Sequence, residues 1–254
     1  FAASIYMRGI NLIQVPTSLL AQVDAAIGGK TGVNHATAKN MIGSFYQPRL
    51  VWIDVHSLQS LPQKEIRSAL AEIVKYGVIQ HSDLFLQLEK TIKDIKPDRT
   101  YTQNPDIWIP LIFESASIKA TVVSKDEKES DLREILNYGH TMGHALEALS
   151  HYHTYLHGEA IAIGMKGAAL ISKTLGIMSD TDYDRICTLL ENLGFTLTIK
   201  KGMKSEDILD KMYTDKKVRN MRLRLVLPTA IGTVIVKDDV SDSVVIKAIN
   251  ALMH

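Results

Sequence analysis

Residues 131–165 read DLREILNYGHTMGHALEALSHYHTYLHGEAIAIGM and contain five of the nine histidines of the chain. His140 and His144 are four residues apart, so both imidazoles would lie on one face of a helix. His157 starts the next apolar helical pattern, and a turn between the two helices would bring its ring over the same pocket. Convergent imidazole nitrogens are typical zinc ligands, and a catalytic zinc keeps one position open. The stretch therefore predicts metal chemistry.

The composition is that of an ordinary globular chain. Its 254 residues are 46% hydrophobic, which suffices for one large core or two smaller ones. Lys plus Arg (29) nearly balances Asp plus Glu (28), so we expect no nucleic-acid partner. No apolar run reaches spanning length, so we also expect no membrane partner. One cysteine, Cys187, and the lack of a signal-peptide pattern indicate a cytoplasmic protein.

Two apolar segments near the N-terminus predict buried strands. Residues 10–16 read INLIQVP, a β-branched run that ends in proline, and residues 50–55 read LVWIDV. Thr17 and Ser18 follow the first segment as a helix cap. The chain opens with Phe1, inside an apolar helical pattern and without an initiator methionine, so we expect a preceding segment to be missing.

A glycine-rich turn, GGKTG at residues 28–32, lies one helical turn after Asp24. Glycine lets the backbone approach a ligand closely, and Lys30 supplies a cation for a phosphate or carboxylate. The segment is not a P-loop, because that motif requires a glycine where this chain has Asp24. A plain glycine turn explains the segment equally well, and the sequence alone leaves both interpretations open.

A helix is predicted over residues 63–79, with a capping-box pattern that begins at Ser60. Glu72 and Lys75 lie along a polar stripe beside its apolar positions. The stripe is either a solvated flank, as on most helices, or it supplies Glu72 as the carboxylate ligand that the histidines lack. Sequence spacing cannot choose between the two, since this helix is far from the histidines along the chain.

Cations near the histidine-rich stretch are candidate anion-binding residues. Lys119 lies within an apolar helical run, and Arg133 shortly precedes the histidines. Arg133, Asn137 and the two histidines His140 and His144 follow one another at steps of three or four residues. One helix face would then carry a guanidinium, an amide and two imidazoles, and we expect such a face to be wet.

For the rest of the chain, the sequence predicts helices and strands but no candidate site residues. Helical patterns end at Gly176 and Gly194. An antiparallel pair of strands and a closing helix follow. His151 and His153 belong to the histidine-rich stretch, but we interpret them as surface or loop residues.

Six long motifs follow one another along the chain. They are YMRG from Tyr6, VPTSLLAQVDAAIGGKTG from Val15, KNMIG from Lys39, AEIVKYG from Ala71, LNYGHTMGHALE from Leu136 and LHGEAIAIGM from Leu156. Together they closely resemble the 3-dehydroquinate synthase family, and the likeness extends over the whole chain. A series of motifs in one order is far more specific than any single motif.

The resemblance implies a two-domain enzyme. Residues 1–61 would be the C-terminal remnant of a Rossmann-like α/β domain that binds NAD, and residues 62–254 a mainly α-helical domain that binds metal and substrate. In the family, a glycine-rich loop that grips the pyrophosphate of NAD lies before the position of Phe1. Members of the family form dimers, and Arg8 would reach across the dimer interface.

The resemblance also implies roles for matching residues. Zinc or cobalt would be held by Glu72, His140 and His157, while His144 would move protons or hold the substrate phosphate. Asp24 would lie near the reacting hydroxyl and the nicotinamide. The substrate phosphate, carboxylate and hydroxyls would be bound by Arg8, Lys30, Asn40, Lys75, Lys119, Arg133 and Asn137. The part of the NAD site in this chain would comprise Thr17, Ser18, Lys30, Lys39, Ser57, Leu58, Gln59 and Ser60.

The implied reaction converts 3-deoxy-D-arabino-heptulosonate 7-phosphate to 3-dehydroquinate and phosphate. A hydride passes from C5 to NAD, phosphate is eliminated, the hydride returns, and ring opening with an aldol step closes the carbocycle. NAD ends unchanged. A divalent metal suits this chemistry because it polarises the alcohol oxygen.

Other functions compete with this interpretation. A zinc protease is set aside, because HExxH needs a glutamate where this chain has Thr141. Metal-dependent alcohol dehydrogenases and other sugar phosphate cyclases share the implied architecture, but Arg133 and Asn137 favour a substrate with a carboxylate. A metal-binding module without turnover is the alternative that is not an enzyme.

Overall fold

The computed structural model describes residues 1–35, 38–95, 105–127, 132–151, 153–214 and 222–253, apart from the side chains of residues 38–41 and 93–95. The chain forms two compact units. The first unit comprises Phe1–Ile66 and Thr102–Arg133, and the second unit comprises Arg67–Tyr101 and Glu134–His254. The domain boundary after residue 61 stays a prediction.

The chain combines many helices with short strands. The α-helices are α1 (Ala2–Ile5), α2 (Gln63–Ile79), α3 (Ser82–Ile95), α4 (Pro105–Lys125), α5 (His140–Leu149), α6 (His157–Thr174), α7 (Asp180–Asn192), α8 (Ser205–Thr214) and α9 (Asp242–Leu252). The strands are β1 (Ile13–Gln14), β2 (Lys30–His35), β3 (Ala38–Phe45), β4 (Leu50–Val51), β5 (Leu225–Ala230) and β6 (Thr233–Lys237). A π-helical turn covers Ala21–Ala25, and 3₁₀ segments cover Tyr6–Arg8, Val55–Ser60 and Leu132–Asn137.

Strands β1 and β4 form a parallel ladder in which Ile13 pairs with Leu50. The sequence predicts both segments as buried strands, and the predicted burial is wrong for the described residues. Ile13 is 60% exposed, and Trp52, directly after β4, is 62% exposed. Apolar parallel strands are buried when other elements cover both faces of the sheet. The described part of the first unit leaves these side chains in contact with solvent.

The glycine-rich turn leads into an antiparallel hairpin of β2 and β3. Gly28 and Gly29 have φ angles of +105° and +66°, which residues with a Cβ rarely adopt. A Cβ on Gly28 would also lie 2.5 Å from Nη2 of Arg133, so glycine is needed for the guanidinium to lie there. The glycine turn is confirmed, whereas the hairpin is an element that the sequence analysis does not predict.

Helix α2 spans the residues that the sequence predicts for it. The side chains of residues 69–79 are all buried, including the polar Glu72 and Lys75, which are 0% and 2% exposed. The solvated-flank interpretation of this stripe is therefore wrong. A carboxylate and an ammonium in such a position need polar partners, because burying an unpaired charge is costly.

Helices α5 and α6 approach each other backbone to backbone. A Cβ on Gly164 would overlap the carbonyl oxygen of Gly139, and one on Gly143 would lie 3.1 Å from the carbonyl oxygen of Ala160. Glycines at these positions thus permit the short distance between the two helices. The structure confirms the predicted turn-back that brings the two helices together.

Arg133, Asn137 and the histidines do not share one helix. Leu132–Asn137 is a 3₁₀ segment, and Gly139 has a φ of +77°, so the α-helix begins only at His140. Arg133 is also 1% exposed. The predicted wet helix face is wrong, because the periodicity of an α-helix does not continue through a left-handed residue.

The C-terminal part agrees with its prediction. Gly176 and Gly194 follow α6 and α7 with φ angles of +70° and +86°, β5 and β6 pair antiparallel, and α9 closes the described chain. Cys187 is buried in α7, as expected. Among the described helices, α4 is long and apolar enough to cross a membrane by length and composition. Within the first unit it packs against the turn Ala21–Ala25.

Candidate metal centre

Three side chains of the second unit converge on one point. Glu72 lies on α2, while His140 and His157 are the first residues of α5 and α6. One ligand atom from each lies within 4.8 Å of the others. Nε2 of His140 is 3.4 Å and Nε2 of His157 is 3.2 Å from Oε1 of Glu72. We call these three residues, which the resemblance implies as metal ligands, the three-ligand cluster. Their ligand atoms are close enough to hold one metal ion.

A close contact between α2 and α6 lies beside two residues of the cluster. The N–H of Gly158 donates to Oγ of Ser68 at 2.9 Å, and a Cβ on Gly158 would overlap the carbonyl oxygen of Ser68. Ser68 is one helical turn before Glu72, and Gly158 directly follows His157. This contact therefore fixes the distance between the carboxylate and the imidazole.

Each imidazole of the cluster has a second polar contact on its other nitrogen. Nδ1 of His140 lies 3.1 Å from the carbonyl oxygen of Tyr138. Nδ1 of His157 lies 3.5 Å from Oε1 of Glu147 on α5. Groups of this kind fix the tautomer of a histidine that binds metal, because the N–H on one nitrogen leaves a lone pair on the other. In both rings the Nε2 atom is thereby turned toward Glu72.

The charges of the cluster shift two pKa values. Burial alone raises the pKa of Glu72, but the Lys75 ammonium and the imidazoles more than offset it and hold that pKa well below its usual range. Burial alone lowers the pKa of His157, whereas Glu147 and Glu72 raise it to about 10. The carboxylates thus favour a proton on His157, which a metal ion must displace because it binds the neutral imidazole.

His144 and Lys75 adjoin the cluster without belonging to its three ligands. The ring of His144 lies 5.2 Å from that of His140 and 6.4 Å from that of His157, measured between centroids. The ammonium of Lys75 pairs with Oε2 of Glu72. His151 is exposed, and so is His153, as the sequence analysis predicts.

In the first unit, the buried Lys119 pairs with the half-buried Asp24. Nζ of Lys119 donates to Oδ1 of Asp24 at 2.8 Å and also to the backbone carbonyl of the same residue. Lys119 is only 6% exposed. The lysine thereby ties helix α4 to the π-helical turn that carries Asp24.

Arg133 donates to the backbone of the first unit. Nη1 donates to the carbonyl oxygen of Glu127 at 2.8 Å, and Nη2 donates to that of Gly28 at 3.0 Å. Its own N–H donates to Oδ2 of Asp126 at 2.9 Å. The guanidinium therefore holds the glycine-rich turn that precedes Lys30.

Gln22, which no sequence pattern predicts, joins two predicted cofactor segments. Gln22 is fully buried, and its Nε2 donates to the carbonyl oxygens of Pro16 and Asp54 and to Oγ of Ser57, at 3.3, 3.0 and 3.0 Å. It thus links the turn before Thr17 to the 3₁₀ segment Val55–Ser60. No local pattern reveals it, because two of its three partners, Asp54 and Ser57, lie more than thirty residues away along the chain.

Glu147 is a second residue that the analysis misses. It stands seven residues after His140 and three after His144, so helical spacing alone places it on the histidine face of α5. The spacing therefore suffices to predict that Glu147 lies near the histidines.

The other predicted site residues are spread over both units. Arg8 and Lys30 are exposed, Asn137 is half-buried, and the side chains of Lys39 and Asn40 lie outside the described part. In the predicted cofactor segments, Thr17, Gln59 and Ser60 are exposed, Ser18 and Ser57 are half-buried, and Leu58 is buried. Their roles stay predictions.

Comparison with known proteins identifies the family. Residues 1–68 match the family model of the 3-dehydroquinate synthase N-terminal domain, and residues 69–218 match that of the C-terminal domain. A 3-dehydroquinate synthase from Thermodesulfovibrio yellowstonii is 48% identical over 252 residues, which are 98% of this chain and 68% of that protein. The chain spans about two thirds of the length of the relatives that it matches.

Solved structures agree with this match. 2-epi-5-epi-valiolone synthase from Streptomyces hygroscopicus subsp. jinggangensis, with NAD+ and Zn2+ bound, superposes with a TM-score of 0.89 at 25% identity. The match covers 99% of the present chain and 68% of the synthase. 2-deoxy-scyllo-inosose synthase, complexed with carbaglucose-6-phosphate, NAD+ and Co2+, has a TM-score of 0.84 at 30% identity. This match covers 98% of the present chain and 69% of the synthase. The fold is that of the sugar phosphate cyclases, and the chain belongs to the 3-dehydroquinate synthase family.

Proposed function

We propose that this protein is a 3-dehydroquinate synthase, which converts 3-deoxy-D-arabino-heptulosonate 7-phosphate to 3-dehydroquinate and phosphate with catalytic NAD and a divalent metal. The observation that carries the proposal is the convergence of Glu72, His140 and His157 in a chain of this family. A carboxylate and two imidazoles are a set of ligands that leaves room for substrate oxygen at a catalytic metal.

The cluster fits zinc or cobalt. Its carboxylate is buried and ionised, and both imidazoles turn Nε2 toward it while a carbonyl or carboxylate holds Nδ1. Two structures similar to this chain contain Zn2+ and Co2+. When bound, the ion would polarise the substrate alcohol and lower its pKa. Lys75 supports the site by keeping Glu72 negatively charged.

The NAD site would use residues of the first unit. Both of the similar structures contain NAD+. When bound, NAD would accept one hydride from the substrate and return it. Gln22 would keep the two segments that face the cofactor in register, since it hydrogen-bonds to both. The contributing residues would be Thr17, Ser18, Lys30, Lys39, Ser57, Leu58, Gln59 and Ser60.

The substrate would be positioned by its anionic groups. Asp24, oriented by Lys119, would lie near the reacting hydroxyl, and His144 would hold or move a proton beside the metal. Fixing the phosphate and carboxylate selects one reactive conformer of a flexible sugar, which is where positioning contributes most. The binding residues would be Arg8, Lys30, Asn40, Lys75, Lys119, Arg133 and Asn137.

We also infer a cytoplasmic homodimer that binds neither nucleic acid nor a membrane. The net charge of +1 supports the absence of nucleic acid. The hairpin of β2 and β3 supports a dimer, because a lone two-stranded hairpin is marginally stable and this one exposes Val33, Ile42 and Phe45. Arg8 would then reach the neighbouring subunit.

A phosphate-release assay tests the function. The metal-loaded chain is given NAD and 3-deoxy-D-arabino-heptulosonate 7-phosphate, beside a hexose phosphate that lacks the carboxylate. We expect phosphate release from the first substrate only, and its loss in His140→Ala. Release from the hexose phosphate alone would instead identify another sugar phosphate cyclase. Zinc binding without release from either substrate would mean that this chain is a metal-binding module.

A further inference from the structure

Glu147 is a buried carboxylate for which the proposed reaction has no use. It lies on α5, seven residues after His140 and three after His144, with a side chain that is 10% exposed. Removing a carboxylate from water costs free energy that a partner must offset. Nδ1 of His157 is one such partner and lies 3.5 Å from Oε1 of Glu147.

His157 needs such a partner more than the other two members of the cluster. Its side chain is 30% exposed, compared with 13% for His140 and 0% for Glu72. Packing alone therefore constrains this ring least, and an imidazole that turns about its χ angles moves Nε2 away from Glu72.

The two imidazoles are held by different kinds of acceptor. Nδ1 of His140 contacts the backbone carbonyl of Tyr138, which no substitution removes. Nδ1 of His157 contacts a side-chain carboxylate, which also raises the basicity of the ring more than a neutral carbonyl does. The contribution of the second acceptor can therefore be measured by substitution.

We propose that Glu147 is a positioning residue for the metal centre, which holds the ring and tautomer of His157 so that Nε2 faces the ion and thereby sets metal affinity. This inference rests on the proposed metal site. Glu147 acts through His157 and is not itself one of the three ligands, since its carboxylate meets the imidazole on the side opposite to Glu72.

The test measures zinc affinity by competition with a chromophoric chelator. We expect Glu147→Ala to bind zinc about 10–100-fold more weakly than the unchanged chain, which is the usual effect of losing a group that orients a ligand. Glu147→Gln keeps an oxygen that accepts from Nδ1–H and should recover a part of the loss. The visible absorption of the cobalt-loaded Ala variant should also change, because the His157 ring is no longer held.

A matched control separates orientation from general destabilisation. Glu134→Ala removes a partly buried carboxylate of the same unit, which pairs with Arg224 at 2.8 Å and is 17% exposed. We expect this variant to lose stability and to keep its zinc affinity. If Glu147→Ala does not fold, the comparison is made with Glu147→Gln and the cobalt spectrum.

A double-variant cycle tests whether Glu147 acts through the imidazole. If it does, removing Glu147 in a His157→Ala background should weaken zinc binding no further. An additional loss in that background, or equal zinc affinity of Glu147→Ala and the unchanged chain, would overturn the inference. Failure of the unchanged chain to bind zinc would instead overturn the metal site on which the inference rests.

Discussion

The two units use ionisable side chains in opposite ways. In the second unit, Glu72, His140 and His157 turn their ligand atoms toward one another, within 4.8 Å. In the first unit, Lys119 and Arg133 donate to backbone carbonyls of their own unit. The first arrangement is favourable with a cation at its centre, whereas the second also ties the two proposed substrate-binding cations to the backbone of nearby loops. A buried cation can therefore hold a nearby loop by donating to its backbone carbonyls.

The same contrast applies to the two buried lysines. Lys75 pairs with a carboxylate that two imidazoles also contact, while Lys119 pairs with a carboxylate and a carbonyl at a helical turn. Removing either carboxylate should therefore destabilise its own unit, but only one of the two removals should affect a metal ion.

The largest effect is expected from Glu72→Gln. Loss of this ligand should weaken zinc binding by more than about 100-fold, the upper figure for losing a group that only orients a ligand. The metal-free protein should also lose about 3–5 kcal/mol of unfolding free energy, because the substitution breaks the buried ion pair between Glu72 and Lys75. Chelator competition and urea unfolding measure the two quantities.

Asp24→Asn is the matched variant of the first unit, since it also removes a carboxylate from a buried lysine. We expect lower stability and unchanged zinc affinity. Equal losses of zinc affinity in the two variants would contradict the division of roles between the units.

The next largest effect is expected from Gly158→Ala. The new Cβ would overlap the carbonyl oxygen of Ser68, so α2 and α6 must separate at a cost of about 1–3 kcal/mol. Separation should also weaken zinc binding, because Glu72 and His157 lie beside this contact. Gly176→Ala is the control, since its φ of +70° costs about 1–2 kcal/mol but no atom of the described residues lies within 4 Å of the new Cβ. A control variant that lost zinc binding equally would refute the explanation.

A smaller effect, confined to the first unit, is expected from Gln22→Met. The substitution removes the amide that donates to Asp54 and Ser57, and the loss of these hydrogen bonds should cost about 0.5–1.5 kcal/mol. Hydrogen exchange should quicken in Val55–Ser60, and zinc affinity should stay unchanged. Exchange at the normal rate in this segment would show that Gln22 does not hold it.

The smallest effect concerns protons at the cluster. The pKa of His157 is raised to about 10, so the ring is charged near pH 7.5 and zinc must release that proton. Calorimetry in buffers of different ionisation enthalpy should detect about one proton released from this ring, and affinity should rise about tenfold per pH unit. Binding without proton release would contradict the charged state.

The raised pKa of His157 also makes the stability of the metal-free protein depend on pH. The raised pKa of His157 means that its contribution is fully present below the ordinary value of 6.5 and is lost as the pH rises through about 10. Zinc should therefore stabilise the protein most at the alkaline end of this range.

Much of the helical unit could be predicted because its signals are local. Spacing within a few residues predicts the bounds of α2 and the shared face of His140 and His144. It also predicts the glycines that follow α6 and α7. Burial of the strands was mispredicted, because an apolar run does not reveal which elements cover it. The single helix face was mispredicted since Gly139 looks neutral in a periodic pattern.

Local sequence patterns suffice to predict the helix faces, the glycine turns and the motifs that identify the family. Tertiary structure alone decided that Glu72 is buried among imidazoles, that Glu147 reaches His157 and that Arg133 binds the backbone at Gly28. The physical reason is distance along the chain. Helical periodicity relates residues three or four positions apart, whereas contacts between segments many residues apart depend on how closely two backbones pack.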